Sequence, residues 1–383
     1  MPSSAPTLPG LEPHPHARAV LAPALPPDGT PSHAYLFHGP PGVGKRAVAR
    51  AFATALLVDG ARAPDTVAER VARDTHPDLT WARPSGAGEM LVADIDGPVV
   101  AAAAHTPFES RRRVFVIEDA DAMNDQAANR LLKTLEEPPS FVHLILLAPS
   151  ARDVLATIAS RCQPVRFDPL PEARIEELLG ESEGSSACAR LSLGDARRAR
   201  ELAGARGGAL REHAERFVRA ALHGALAERP WQTLLALAKD DATRVAEAQA
   251  ERVAEELELL PTKERKRHQR EALEAQRRSE RRARTRALGD GLQLVELWLR
   301  DLWCLAEGAE ELVHNRDRLA ELREDAAGRQ PAALSAGVEL VCDTRLRLAQ
   351  NVSEELALEA LAYRLAELLA PVGAGAGHPH VGI

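Results

Sequence analysis

The chain has 383 residues, 48 Lys and Arg against 56 Asp and Glu, and a formal net charge of −8, so no chain-wide basic field is available to hold nucleic acid. Aromatic residues make up only 3%, which argues against a base-stacking platform. The four cysteines are too few and too scattered for a disulfide scaffold or a CxxC metal knuckle. No apolar run approaches the roughly 18 residues of a membrane span, and the Pro- and His-rich start lacks the basic-then-apolar order of an export signal, which points to the cytoplasm.

The length suggests two or three domains. Residues 1–16, rich in Pro, Ser and His, read as disordered. A short helix is expected over Ala17–Leu25. Tyr35–His38 reads as a buried strand that runs into the glycine-rich Gly39–Lys45, and Ala47–Val58 has helical character. Val114–Ile117 and Val142–Ala148 have the length and composition of buried strands. Between them Asp125–Leu135 reads as a helix stopped by Pro138 and Pro139. A short strand around Val165–Phe167 follows. Strands alternating with helices predict a parallel α/β sheet.

After Pro171 the strand signal ends. Glu172–Leu179 and Gly194–Ala203 read as short helices, Gly204–Gly208 as a linker, and Ala209–Leu369 as helical throughout, with Leu294, Leu297, Trp298, Leu302 and Leu305 at helical spacing. Pro371–Ile383 reads as a loose Gly-rich tail. Within the helical part, Lys263–Arg286 carries eleven Lys or Arg against four Glu, with no interleaved aromatic. Its first reading is a long solvated helix, and its second a basic face turned to DNA or another subunit.

GPPGVGKR at Gly39–Arg46 fits G-x-x-x-x-G-K at Gly39, Gly44 and Lys45, with Gly42 inside the loop. Such glycines let backbone N–H groups face a phosphate, the following helix adds its positive end, and the lysine reaches the β and γ phosphates. The bland alternative is a tight turn with a chance lysine. The eighth position, where a Ser or Thr hydroxyl would bind magnesium, is Arg46, which cannot ligate a metal. The strand Val114–Ile117 is followed by Glu118 and Asp119. P-loop enzymes place a magnesium-binding Asp and then a catalytic Glu there, and the reversed order displaces both carboxylates by one methylene. A shift of about 1 Å can cost on the order of 100-fold in rate. The alternative is an acidic pair that merely solvates a loop.

SHAYLFHGPPGVGK at Ser32–Lys45, THPD at Thr75–Asp78, LLKTLEEPP at Leu131–Pro139 and SRC at Ser160–Cys162 follow one another in order. Together they resemble the bacterial clamp-loader AAA+ proteins of DNA polymerase III, nearest the delta-prime branch. The resemblance covers roughly residues 15–206. The helical remainder matches only loosely, with NVSEELALEAL at Asn351–Leu361 similar to the family's last collar helices.

The resemblance implies an α/β P-loop AAA+ domain over 1–170, a small helical lid over 171–206 and an all-α collar over 207–383. It implies a subunit of a hetero-pentamer with gamma/tau and delta, loading a sliding clamp onto primer-template DNA in the cytoplasmic, nucleoid-associated replisome. Such a subunit is no enzyme by itself but an accessory part of a DNA-directed DNA polymerase. It does not hydrolyse ATP and supplies an arginine finger to a neighbouring ATPase, which in this chain is Arg161; alone, that arginine would read as a surface salt bridge. Arg197, in GDARRA at Gly194–Ala199, takes the place of the second sensor, and the first sensor falls at Pro149 and Ser150, where proline lacks the needed donor. The degenerate site therefore comprises Gly39, Gly42, Gly44, Lys45, Glu118, Asp119 and Arg197. It requires no cofactor, with ATP bound weakly or structurally if at all. The zinc module of many family members is not expected, because Leu57–Asp74 holds no cysteine. His76 in THPD reads as a turn residue. The alternative function is an active gamma/tau-like ATPase or another AAA+ remodeller.

Overall fold

A computed structural model describes residues 8–84, 89–180, 184–259, 261–348, 350 and 352–370. The chain divides into two compact units, Met1–Leu178 with Leu193–Arg198, and Leu179–Ser192 with Ala199–Ile383.

The first unit runs α1 (Pro15–Leu21), β1 (Ala34–His38), α2 (Lys45–Val58), α3 (Pro64–Ala72), β2 (Leu79–Ala82), α4 (Val92–Ile95), β3 (Arg113–Ile117), α5 (Asp125–Glu136), β4 (Val142–Ala148), α6 (Ala156–Ala159) and β5 (Gln163–Arg166). The five strands are all parallel, in the order β2-β3-β4-β1-β5. β3 and β4 are buried at every position, as central parallel strands covered on both faces must be. Alternate side chains feed two cores. Tyr35, Phe37, Val114, Val116, Ile145 and Leu147 meet Val48, Phe52 and Leu56 of α2. Leu36, Phe115, Ile117, Leu144 and Leu146 meet Ile95, Leu131 and Ile158 on the other side.

Local chemistry sets the element ends. The Asn124 side chain accepts the Ala127 N–H at 2.9 Å and caps α5, whose helix ends just before Pro138. THPD is a clasp: the Asp78 carboxylate accepts the N–H groups of Phe108, Glu109 and Ser110 at 2.6, 3.0 and 2.9 Å. His76 is buried beside it, and its Nδ1 accepts the Asp78 N–H at 3.2 Å, in keeping with a turn role.

Three expectations change. Residues 8–16 are packed rather than disordered: Leu8 and Leu11 are buried, and buried His14 reaches the Val43 carbonyl at 2.8 Å. Residues 1–7 and the tail 371–383 lie outside the described residues. Edge strand β2 carried no legible signal, and β5 begins two residues earlier than expected, with Pro164 tolerated at an edge.

The connection out of this unit is α7 (Glu172–Leu179). Then come α8 (Ser185–Leu191), α9 (Ala196–Ala203), α10 (Ala205–His223), α11 (Trp231–Leu259), α12 (Thr262–Ala306), α13 (Leu319–Ala326), α14 (Pro331–Leu348) and α15 (Glu354–Leu368). The second unit's core joins Phe217, Trp231, Leu292, Trp298, Leu299, Val341, Leu361 and Leu365. The expected Gly204–Gly208 linker is instead the first turn of α10. Gly207 is buried there, and a Cβ would fall 2.3 Å from the Leu202 Cα. The basic run forms the first half of the 45-residue α12. Its Lys266, Arg270, Arg277 and Arg281 are exposed at helical spacings of one face, while Arg278 pairs with Glu274 and Arg284 with Glu354. Among the described residues no helix is long and apolar enough to cross a membrane.

Candidate functional site

β1 ends at His38, the chain turns through Gly39–Gly44, and α2 begins at Lys45 with Gly44 as its left-handed N-cap. Gly42 has φ +70°, and a Cβ on it would fall 1.6 Å from Asp195 Oδ1. Only glycine fits that close approach. The Ala196 N–H donates to the Gly42 carbonyl at 3.3 Å, so GDARRA lies directly against the loop. Asp195 is buried and its Oδ1 accepts the Arg198 N–H at 2.9 Å. Arg197 Nη2 is 3.8 Å from Asp195 Oδ2, which sets the second-sensor candidate beside the loop.

Lys45 folds onto its own loop. Its Nζ donates to the carbonyls of Gly39 and of Pro40, the latter at 2.6 Å. Burial pulls its pKa down to about 8, against the opposing pull of Asp119, Asp121 and Asp195. Asp119 has φ +51° and leads into a tight turn over Ala120–Ala122. Burial raises the pKa of Asp121.

Glu118 follows β3, its N–H donating to the Ala82 carbonyl at 3.0 Å. Its nearly buried carboxylate is claimed by two guanidinium groups: Arg46 Nη2 at 3.0 Å and Arg83 Nε at 3.1 Å, both on Oε1. Arg83 is held over the Trp81 ring, 5.9 Å from its centroid. Sequence reasoning missed Arg83, whose only signal is a basic residue just past a strand that was itself not legible. A magnesium ion, which the P-loop fold implies, does not fit these residues. Its Ser or Thr ligand is replaced by a cation, and that cation already occupies the acid.

Arg161 follows α6. Its Nη2 donates to Glu136 Oε1 at 2.6 Å and its Nη1 to the Thr157 carbonyl at 2.8 Å, and its side chain stays about one-third exposed. SRC and LLKTLEEPP therefore meet in space, through an ion pair at the end of α5. The adjoining Cys162 is buried, and burial pushes its thiol pKa up to about 12. Past β4, the Ser150 hydroxyl accepts the Arg152 N–H at 3.1 Å. The structure thus gathers Gly39, Gly42, Gly44, Lys45, Asp119 and Arg197 around one loop, ties Glu118 to it through Arg46, and leaves Arg161 with a separate set of contacts.

A family profile described as "DNA polymerase III, delta subunit" matches residues 18–171. The chain is 38% identical over 147 residues to DNA polymerase III subunit delta' of Pseudomonas aeruginosa, covering 37% of this chain and 44% of that protein. It is 37% identical over 164 residues to the subunit delta' of Bacillus subtilis, covering 42% and 49%. It is also 33% identical over 184 residues to a Mycobacterium tuberculosis subunit gamma/tau, covering 44% and 30%. A solved gamma subunit-related protein of Thermotoga maritima aligns with 88% of this chain and 96% of its own, at TM-score 0.42 and 18% identity. The chain spans less than half the length of each of these curated relatives. Over residues 18–171 the chain is thus similar to the DNA polymerase III clamp-loader proteins, and to their delta' subunits at 37–38% identity.

Proposed function

We propose that the chain acts as a delta' subunit of a clamp loader: it hydrolyses no ATP itself and lends Arg161 to the ATP site of a neighbouring gamma/tau subunit. The observation that carries this reading is the Glu118 carboxylate, engaged by both Arg46 and Arg83. A P-loop needs that acid free to help hold a metal against the β and γ phosphates. Arg161 supports the second half. A guanidinium stabilises charge growing on a transferring phosphoryl group, and Glu136 holds this one at the surface with part of the side chain still open.

On this reading residues 1–170 form the AAA+ domain, 171–206 a lid and 207–383 a collar. Gamma/tau and delta complete the pentamer, the sliding clamp and primer-template DNA are met through it, and the work is done in the cytoplasm. Nucleotide in the loop is a weak or structural ligand, and zinc plays no part. The competing reading, an active gamma/tau-like ATPase, draws on Lys45 and the complete glycine loop.

The test is ATP turnover by the purified chain and by a loader reconstituted with delta and gamma/tau subunits. The chain alone is expected to release no phosphate. Arg161→Ala is expected to slow hydrolysis at the neighbouring site by about 10³-fold, the low end for such fingers, with the assembly intact. Steady turnover by the isolated chain would establish the competing reading instead.

A further inference from the structure

The magnesium corner of this P-loop is not merely damaged; it is filled. Arg46 stands at the first turn of α2, one residue past Lys45, where a hydroxyl would face the metal. Its Nη2 lies 3.0 Å from Glu118 Oε1, and Arg83 approaches the same oxygen at 3.1 Å. The carboxylate is only 11% exposed, so this contact is weakly screened. With two guanidinium groups on Oε1, the Glu118 charge is already neutralised and this carboxylate offers a divalent ion little attraction.

Arg46 is also suited to the metal's other task. A guanidinium has five donors in a rigid fork that matches phosphate oxygens. Among the described residues Glu118 is the hydrogen-bonding or ionic partner found for Arg46, so donors remain for a ligand, and its side chain is mostly exposed. Lys45 Nζ already lies inside the loop, on the Gly39 and Pro40 carbonyls, poised to exchange them for a phosphate.

We propose that Arg46 is the built-in cation of this loop: it takes the place of the divalent ion between Glu118 and a bound nucleoside triphosphate, so that ATP binds without metal. This rests on the reading of the loop as a non-hydrolysing site, and it adds what that reading leaves open, namely how the site balances a triphosphate's charge. Arg83 holds Glu118 in position from the other side.

The experiment is equilibrium binding of ATP to the full chain, in excess Mg²⁺ and in excess EDTA, with released phosphate measured in the same samples. For the natural chain the two dissociation constants are expected to agree within about threefold, under 0.7 kcal/mol. For Arg46→Thr, which restores a hydroxyl and frees Glu118, Mg²⁺ is expected to tighten binding by about tenfold or more. Tightening of that size in the natural chain overturns the assignment, as does absence of ATP binding by the natural chain or an Arg46→Thr variant indifferent to Mg²⁺. The natural-chain comparison needs no variant, so loss of folding in Arg46→Thr would not shelter the proposal. Phosphate release by the natural chain would overturn the non-hydrolysing reading itself. Metal dependence without release would overturn only the role of Arg46.

Discussion

His143 sits in the middle of the sheet, on β4, and burial drives its pKa down to about 4 despite the Ser32 carbonyl 2.9 Å from Nδ1. An unfolded chain would titrate near the ordinary 6.5. Between about pH 6.5 and 4 the unfolded state therefore binds more protons than the folded one, and stability falls as pH falls through that window. At pH 5 this residue alone is expected to cost about 2 kcal/mol relative to pH 7. His143→Gln keeps an amide donor for Ser32 and does not titrate, so urea melts of that variant at the two pH values should differ by about 2 kcal/mol less than those of the natural chain. Residue-scale chemistry of this kind was only half legible in the sequence. Arg46 is visible as a wrong residue in a motif, because the motif fixes what the eighth position must do. Its partner Glu118, and the second partner Arg83, come together only through the parallel pairing of β2 and β3, which no local pattern records.

At the scale of elements, legibility followed burial. β1, β3 and β4 are covered on both faces and so appear as continuous apolar runs, whereas the four-residue edge strands β2 and β5 mix polar residues and proline into too short a pattern. Gly207 misled for the opposite reason: glycine chosen for close packing against Leu202 has the same composition as glycine chosen for flexibility. The turn after α12 shows how a buried charge can define an element boundary. Asp301 is fully buried, and its carboxylate accepts the N–H groups of His314 and Asn315 at 2.9 and 2.8 Å and the Asn315 amide at 2.7 Å. Asp301→Ala would leave three donors, two of them buried, without an acceptor. Since breaking one partner of a buried charged cluster costs about 3–5 kcal/mol, the variant's unfolding free energy should drop by that order in denaturant titration. Asp301→Asn, which keeps one acceptor oxygen, should lose less.

At the scale of the whole molecule, net charge and mean composition hide what the surface does. A chain of net charge −8 carries a stripe of exposed cations on α12, and a helix rich in Leu carries apolar side chains on both of its sides. In α15, Leu358, Leu361, Ala362 and Leu365 are buried in the core of the second unit. Leu356 and Tyr363, seven residues apart and therefore on one side of the helix, are 66% and 54% exposed, and Leu346 on α14 is 69% exposed. Leu356 and Tyr363 together give that side of α15 an apolar face open to cover by another protein. On the clamp-loader reading that cover is a neighbouring collar. Glutamate in place of Leu356 adds charge to a solvent-facing position and should leave the melting temperature of the isolated chain within a few degrees, as surface changes within about 0.5 kcal/mol do, whereas Tyr363→Glu also gives up the ring contact with buried Trp231, 6.1 Å between centroids, and should lower it more. The same variants should fail to co-elute with the reconstituted loader on size exclusion, because a buried, unpaired carboxylate at an interface is strongly unfavourable. Unchanged co-elution of both variants would place the subunit contact on another face of the helices.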